Sequence, residues 1–282
     1  SMAPGQEEME WHKFLGELFD FPSETMSIGR LDLDSEGLLF LTTDGMMSHQ
    51  VRNRKVEKEY YVQVDGIISE ESDEVLSSNG RSWLIDPLDG TVNYANNIPQ
   101  VALTLTLLIN KVPVQTYVYD IFQENLYEGY SDMGAYKNSE KLQVTKDTSF
   151  QKAIIATGFP YDRLEFGEQY IQTFLSILKT TGGVRRFGSA ALDVCWVADN
   201  KFDGYFEYFM KPWDILGASL ILKEAGGVVV DEHESFPTTT SNLLIASNKS
   251  IHEDFKSLVL ANIDPDLKER FSFSFLLNSA QK

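Results

Sequence analysis

The chain has 282 residues, 42 of them acidic against 24 Lys and Arg, and a formal net charge of −18. That balance argues against nucleic-acid binding, where affinity comes from clustered Lys and Arg. A single cysteine excludes an intramolecular disulfide framework and fits a reducing cytoplasm. No apolar run approaches the roughly 20 residues needed to span a bilayer, and no signal-peptide pattern opens the sequence.

In chain order, Glu7–Phe19 has the apolar spacing of an amphipathic helix through Trp11, Phe14, Leu15 and Leu18. Trp83 to Ile85 reads as the end of a buried strand, and Pro87 places a turn there because it cannot continue a central ladder. Val101–Ile109 and Val112–Asp120 read as buried strands joined at Asn110-Lys111. Asn125–Tyr130 and Gly134–Lys137 continue an antiparallel pattern. A short strand over Ala153–Thr157 precedes a helix over Arg163–Thr180. Strands over Gly204–Glu207, Gly227–Val230 and Leu243–Ser247 and a helix over Ile251–Ala261 follow. Between them, Ile215, Leu216, Ala218, Leu220, Ile221 and Leu222 suit a helix packed on several sides and stopped by Gly226-Gly227. The tail Phe271–Phe275 alternates Phe and Ser and fits an edge strand or a disordered end equally. Alternating strands and helices predict an α/β layered enzyme.

The run Trp83-Leu84-Ile85-Asp86-Pro87-Leu88-Asp89-Gly90-Thr91 aims two carboxylates and a helix start at one point. Exposed N–H groups after Asp89 suit a phosphate, yet Asp86 and Asp89 would repel it. A divalent cation between them removes the conflict. A polar turn capped by two aspartates is the plainer alternative for a lone D-x-x-D. Asp214, in Pro212-Trp213-Asp214, falls in the first turn of a helix, where the dipole favours a carboxylate as ligand or cap. Ile67-Ile68-Ser69-Glu70-Glu71-Ser72 adds an acidic pair after an apolar stretch.

Together, SEES at 69–72, WLIDPLDGTVN at 83–93, Gly188-Ser189-Ala190-Ala191 and PWDILGASLILKEAGG at 212–227 resemble the inositol monophosphatase family, the magnesium-dependent, lithium-sensitive sugar phosphatases. The resemblance runs from about Ile67 to about Phe255. It implies a layered α-β-α-β-α sandwich and hydrolysis of a small-molecule phosphate ester, a polyol or sugar phosphate, by metal-activated water. By the same resemblance Glu70, Asp86, Asp89 and Asp214, with the Leu88 carbonyl, would hold two or three Mg²⁺ ions, which take oxygen ligands. Thr91 and Glu70 would orient the water, and the N–H groups of Gly90 and Thr91 would hold the phosphate. Gly188, Ser189 and Ala190 would lie near the substrate, with Asp89, Asp214 and Glu207 also contacting it. A homodimer in the cytoplasm, with no membrane or nucleic-acid partner, completes that expectation. Cys195, between Val194 and Trp196, reads as a small core residue.

Residues 3–66 depart from that pattern. Gly29-Arg30-Leu31-Asp32-Leu33-Asp34-Ser35-Glu36-Gly37-Leu38-Leu39, then Leu41-Thr42-Thr43-Asp44-Gly45 and Lys58-Glu59-Tyr60-Tyr61-Val62, resemble a fragment of the ribosomal-RNA pseudouridine synthases. That resemblance makes Asp32 a nucleophilic carboxylate, with Arg30 and Tyr60 beside it. The sequence thus divides into a synthase-like fragment (1–66), a phosphatase-like domain (67–262) and a tail (263–282). It reads as a splice of two families, with Ser1-Met2 as a cloning remnant. RNA modification through Asp32 and a metal-binding but inactive fusion are the alternatives to phosphatase activity. An EF-hand reading of Asp32–Gly37 fails, because position twelve would be Thr43 where a bidentate Glu is required.

Overall fold

The computed structural model describes residues 26–28, 40–42, 66–70, 72–75, 80–145, 147–159 and 163–263. The chain divides into two compact units, Ser1–Gln63 and Val64–Lys282. In the first, β1 (Met26–Ile28) pairs antiparallel with β2 (Phe40–Thr42). The expected helix over Glu7–Phe19, the synthase-like residues Arg30, Asp32 and Tyr60, and the tail Phe271–Phe275 lie outside the described residues.

The second unit carries two sheets. The larger is ordered β10-β9-β8-β7-β6-β5-β3-β4. Its strands are β3 (Ile67–Ser69), β4 (Ser72–Val75), β5 (Arg81–Asp89), β6 (Ala102–Ile109), β7 (Val112–Asp120), β8 (Asn125–Tyr130), β9 (Gly134–Lys137) and β10 (Glu140–Lys141). All neighbours run antiparallel except β3 and β5, which are parallel with Ser69 opposite Ile85. The smaller sheet, β12-β11-β13-β15-β14, comprises β11 (Ile154–Thr157), β12 (Gly183–Arg185), β13 (Gly204–Tyr208), β14 (Val228–Val230) and β15 (Leu243–Ser247). Five helices accompany them among the described residues: α1 (Thr91–Ala95), α2 (Arg163–Thr180), α3 (Ala190–Ala198), α4 (Pro212–Glu224) and α5 (His252–Ala261).

Helices α3 and α4 fill the space between the sheets. One buried cluster joins Ala191, Leu192, Val194, Cys195, Val197 and Ala198 of α3 and Ile215, Ala218, Ile221 and Leu222 of α4 to both sheets. It meets Ala102, Val118 and Tyr127 of the larger sheet and Ala156, Tyr205, Leu244 and Ala246 of the smaller. A second cluster covers the far face of the smaller sheet, where Phe206, Tyr208 and Ile245 pack on Tyr170 and Ile177 of α2 and on Phe255 and Val259 of α5. The described residues therefore supply four layers, sheet–helix–sheet–helix, of an α/β sandwich. The all-round apolar pattern of α4 follows from its place between two sheets, and every residue from Asp214 to Leu222 is buried. Cys195 is buried with the core, as expected.

Two expectations need correction. Strands β6 and β7 are not buried on both faces: inward Ala102, Thr104, Thr106 and Leu108 alternate with Leu103, Leu105, Leu107 and Ile109 on the other side. The threonines face inward because α4 comes so close there. Thr106 and Thr116 share a 2.8 Å hydrogen bond directly beneath Gly217, where a Cβ would overlap both hydroxyl oxygens. The second correction concerns Pro87. β5 does not stop at Ile85 but runs to Asp89, because its register against β6 shifts between Asp86 and Asp89. Asp86 lies opposite Thr104 and Asp89 opposite Ala102, so three steps on β5 match two on β6. Pro87 sits inside this one-residue bulge, where the ladder is already interrupted and a missing N–H is tolerated.

Gly217→Ala tests the close approach of α4. The substitution gains up to about 1 kcal/mol of helix propensity. Against that stand overpacking of about 1–3 kcal/mol and the loss of a buried hydroxyl pair worth about 1 kcal/mol, so net destabilisation is expected in urea unfolding. Gly167→Ala in α2, with nothing among the described residues within 4 Å of its added Cβ, should stabilise by a few tenths to about 1 kcal/mol.

Candidate active site

The bulge decides where the acids point. In a regular strand, residues three apart face opposite sides of the sheet; one extra residue returns Asp86 and Asp89 to the same side. Both are buried, at 2 % and 8 % exposure, in line with inward Ser82 and Leu84. β3, parallel to β5 with Ser69 opposite Ile85, ends just before Glu70. Glu70 is exposed, and its charge opposes ionisation of Asp89.

Asp86, Asp89 and Asp214 are each held by N–H or O–H donors. The Asp86 carboxylate accepts the Leu88 N–H at 2.8 Å. Asp89 accepts the Ser189 hydroxyl at 2.6 Å and the Ala191 N–H at 2.9 Å, which places it at the start of α3. Ser189, the N-cap of α3, is therefore turned toward Asp89. Asp214, in the first turn of α4, accepts the Lys211 N–H at 3.0 Å. Thr104 ties the elements together: its hydroxyl accepts from the Asp86 N–H at 3.3 Å and donates to the Trp213 carbonyl at 3.2 Å.

Burial raises the pKa of Asp89, Asp214 and Glu207, and repulsion from neighbouring carboxylates adds to it. Asp89 is pushed up to about 6, chiefly by burial and against the lowering effect of Ser189 and Ala191. Asp214 stands well above the usual carboxylate range, by burial first and then by the charges of Asp89, Glu207 and Asp86. Glu207, on β13, rises to about 7 through burial, although the Tyr205 hydroxyl donates to it. The acids are thus electrostatic neighbours, yet among the described residues no three Asp, Glu, His or Cys side chains are gathered as a ready ligand set. The donors are hard oxygens whose repulsion a divalent cation would relieve, so they fit such an ion chemically.

The Thr91 hydroxyl donates to the Leu88 carbonyl at 3.1 Å, linking two residues singled out in the sequence. Gly90 has φ 97°, and a Cβ there would lie 2.8 Å from the Gln100 carbonyl and 3.3 Å from that of Gly188. Sequence reasoning gave Asn93 no role. Its amide joins this loop to the Gly188 loop, donating to Gln100 O at 2.9 Å and Phe187 O at 2.7 Å. It also passed over Asp193, 1 % exposed on α3 and electrostatically coupled to Asp89 and Glu207. The one available signal for Asp193 was a lone acid in an apolar helix.

Residues 43–263 match the inositol monophosphatase family. The chain belongs to this family. The match begins ahead of Ile67, inside the stretch that resembles a synthase. Among relatives, the fructose-1,6-bisphosphatase/inositol-1-monophosphatase of Aquifex aeolicus is 37 % identical over 187 residues, covering 66 % of this chain and 70 % of that protein. A Nus factor SuhB of Pasteurella multocida is 32 % identical over 206 residues, covering 73 % and 76 %. The solved inositol monophosphatase of Anabaena (Nostoc) sp. PCC 7120 superimposes with a TM-score of 0.66 at 33 % identity, covering 77 % of this chain and 85 % of that one. Membership supports a phosphatase, and members of the family are generally metal-dependent. No helix among the described residues is long and apolar enough to cross a membrane.

The raised Glu207 carboxyl sets a pH dependence. Its folded pKa lies above its unfolded value, so the folded state holds a proton that the unfolded chain releases, and stability falls as pH rises from about 4.5 to 7. Urea unfolding in EDTA should give lower stability at pH 8 than at pH 5. Glu207→Gln should reduce that slope, with Asp89 and Asp214 contributing the rest; an unchanged slope would show that Glu207 does not contribute.

Proposed function

We propose that this protein is a Mg²⁺-dependent phosphomonoesterase acting on a small polyol or sugar phosphate. The observation that carries the reading is the bulge in β5, which turns Asp86 and Asp89 to one buried face beside Asp214. Glu70, Asp86, Asp89, Asp214 and the Leu88 carbonyl would hold two or three ions. Bound there, Mg²⁺ would supply a water of lowered pKa and stabilise the departing oxygen.

The chain's own groups supply position. The Thr91 hydroxyl, set on the Leu88 carbonyl, and Glu70 orient the attacking water. The N–H groups of Gly90 and Thr91 hold the phosphate, in a loop that only glycine can form at position 90. Gly188, Ser189 and Ala190, at the start of α3, border the sugar. Glu207, buried and near neutral pKa, accepts hydrogen bonds from sugar hydroxyls. Asp89 joins the two halves, since its carboxylate grips α3 while its strand carries Asp86.

Release of phosphate from inositol 1-phosphate should require Mg²⁺ and stop in EDTA. Asp86→Asn should lower kcat/KM by about a hundredfold or more, about 2.7 kcal/mol at tenfold per 1.36 kcal/mol. Full activity of that variant, or metal-independent turnover, would refute the assignment. Mg²⁺ at 100 times its dissociation constant should also stabilise the fold by about 2.7 kcal/mol. The same preparation separates the alternatives: pseudouridine formation on a ribosomal RNA stem would implicate Asp32, and metal binding without hydrolysis would identify an inactive fusion.

A further inference from the structure

Glu70 differs from the other three acids assigned to the site. It is exposed, and among the described residues no N–H or O–H group donates to its carboxylate. Asp86, Asp89 and Asp214 each accept such bonds. What anchors Glu70 is the strand before it. Ile68, two residues earlier on β3, is buried in a small cluster with Leu84 of β5, Leu108 of β6 and Leu216 of α4, and Trp213 packs against that cluster. Trp213 and Leu216 are three apart, the spacing that sets two side chains on one helix face. The two-residue step from Ile68 to Glu70 keeps the inner side of β3, where Trp213 lies.

The backbone of Trp213 is fastened to the site as well. Its carbonyl accepts the Thr104 hydroxyl at 3.2 Å, and that hydroxyl accepts the Asp86 N–H at 3.3 Å. Asp214 follows it directly in the chain. Its indole N–H, by contrast, is buried without an acceptor among the described residues. Native proteins leave few buried donors unpaired, because each forfeits its bond to water. An indole N–H can only donate and an ionised carboxylate can only accept, so the two are complements. We propose that Trp213 is the positioning residue for Glu70: its indole N–H donates to the Glu70 carboxylate when that side chain turns in from solvent toward the other acids. This rests on the phosphatase reading, in which Glu70 holds metal and orients the attacking water, and deepens it by naming what fixes Glu70. A single residue then sets Glu70 through its side chain and Asp214 through its peptide. A hydrogen bond to an ionised acceptor is shorter and stronger than a neutral one, and a ring already packed against the Ile68 cluster has little freedom left to lose.

The four tryptophans give separate indole N–H signals in ¹⁵N-labelled protein, and Trp213→Phe, which keeps an aromatic ring, assigns one of them by its loss. Saturating Mg²⁺ should move that signal downfield in wild type and leave it in place in Glu70→Ala. By calorimetry, Trp213→Phe should weaken Mg²⁺ binding about tenfold in the wild-type background. It should have no further effect in Glu70→Ala, the non-additivity of two groups that act as a pair. A tryptophan that only fills space would weaken binding equally in both backgrounds, and a signal that still moves in Glu70→Ala would give the indole another acceptor; either result overturns the inference. Should Trp213→Phe fail to fold, Trp11→Phe, Trp83→Phe and Trp196→Phe assign the signal by elimination, and the wild-type and Glu70→Ala spectra decide alone. Absence of Mg²⁺ binding by the wild type would refute the phosphatase reading and this inference with it, whereas Mg²⁺ binding with an unmoved Trp213 signal would refute this inference only.

Discussion

One extra residue in one strand sets the geometry on which the site depends. Asp86 and Asp89 are three apart, and in a regular strand one would face the helices and the other the far side of the sheet. The bulge around Pro87 cancels that mismatch, so both carboxylates enter the layer occupied by α3 and α4. Proline suits the position because it gives up a donor where the ladder is broken anyway. Asp89 then reaches the start of α3, and Thr104 links the Asp86 backbone to the start of α4. Two helix N-termini and two acids on one strand are thereby fixed relative to each other.

That arrangement has an electrostatic cost. Burial raises Asp89, Glu207, Asp193 and Asp214 together, and each ionised neighbour raises the others further. One pKa unit is about 1.36 kcal/mol of preference for the protonated form, so several ionised acids at neutral pH are strained in the absence of a counter-charge. The helix starts offset part of this through the Ala191, Ser189 and Lys211 donors. The remaining repulsion is of the kind a hard cation relieves. A cation that bound only the folded protein would raise its stability by mass action.

The strand and helix pattern was legible where apolar period and punctuation agreed. The predicted elements from Val112 to Ala261 reappear within a residue or so, because Gly and Asn turns separate runs of clear period. The local acids were legible as well, since Asp86, Asp89 and Asp214 sit beside turn or helix signals. What the sequence could not show was tertiary. Pro87 reads as a strand end because the partner that accommodates its bulge, β6, lies elsewhere in the chain. Thr106 and Thr116 face inward where a glycine of α4 lies against them, and Thr104 where it bonds to the start of α4, which no local pattern records. Asn93 and Asp193 acquire their partners only from residues about a hundred positions away.

The two glycine loops show why such long-range fastening matters. Gly90 and Gly188 both take positive φ and approach each other so closely that a Cβ at 90 would press on the Gly188 carbonyl. Asn93 then bonds to both loops at once. Two turns far apart in the chain are in this way fastened to each other; in the proposed function one would hold the phosphate and the other border the sugar. In-line displacement requires the phosphoryl group and its alcohol to be held in fixed register, and small misplacements are costly in rate. For the proposed reaction, joining the loops through backbone carbonyls would supply that register before any substrate arrives.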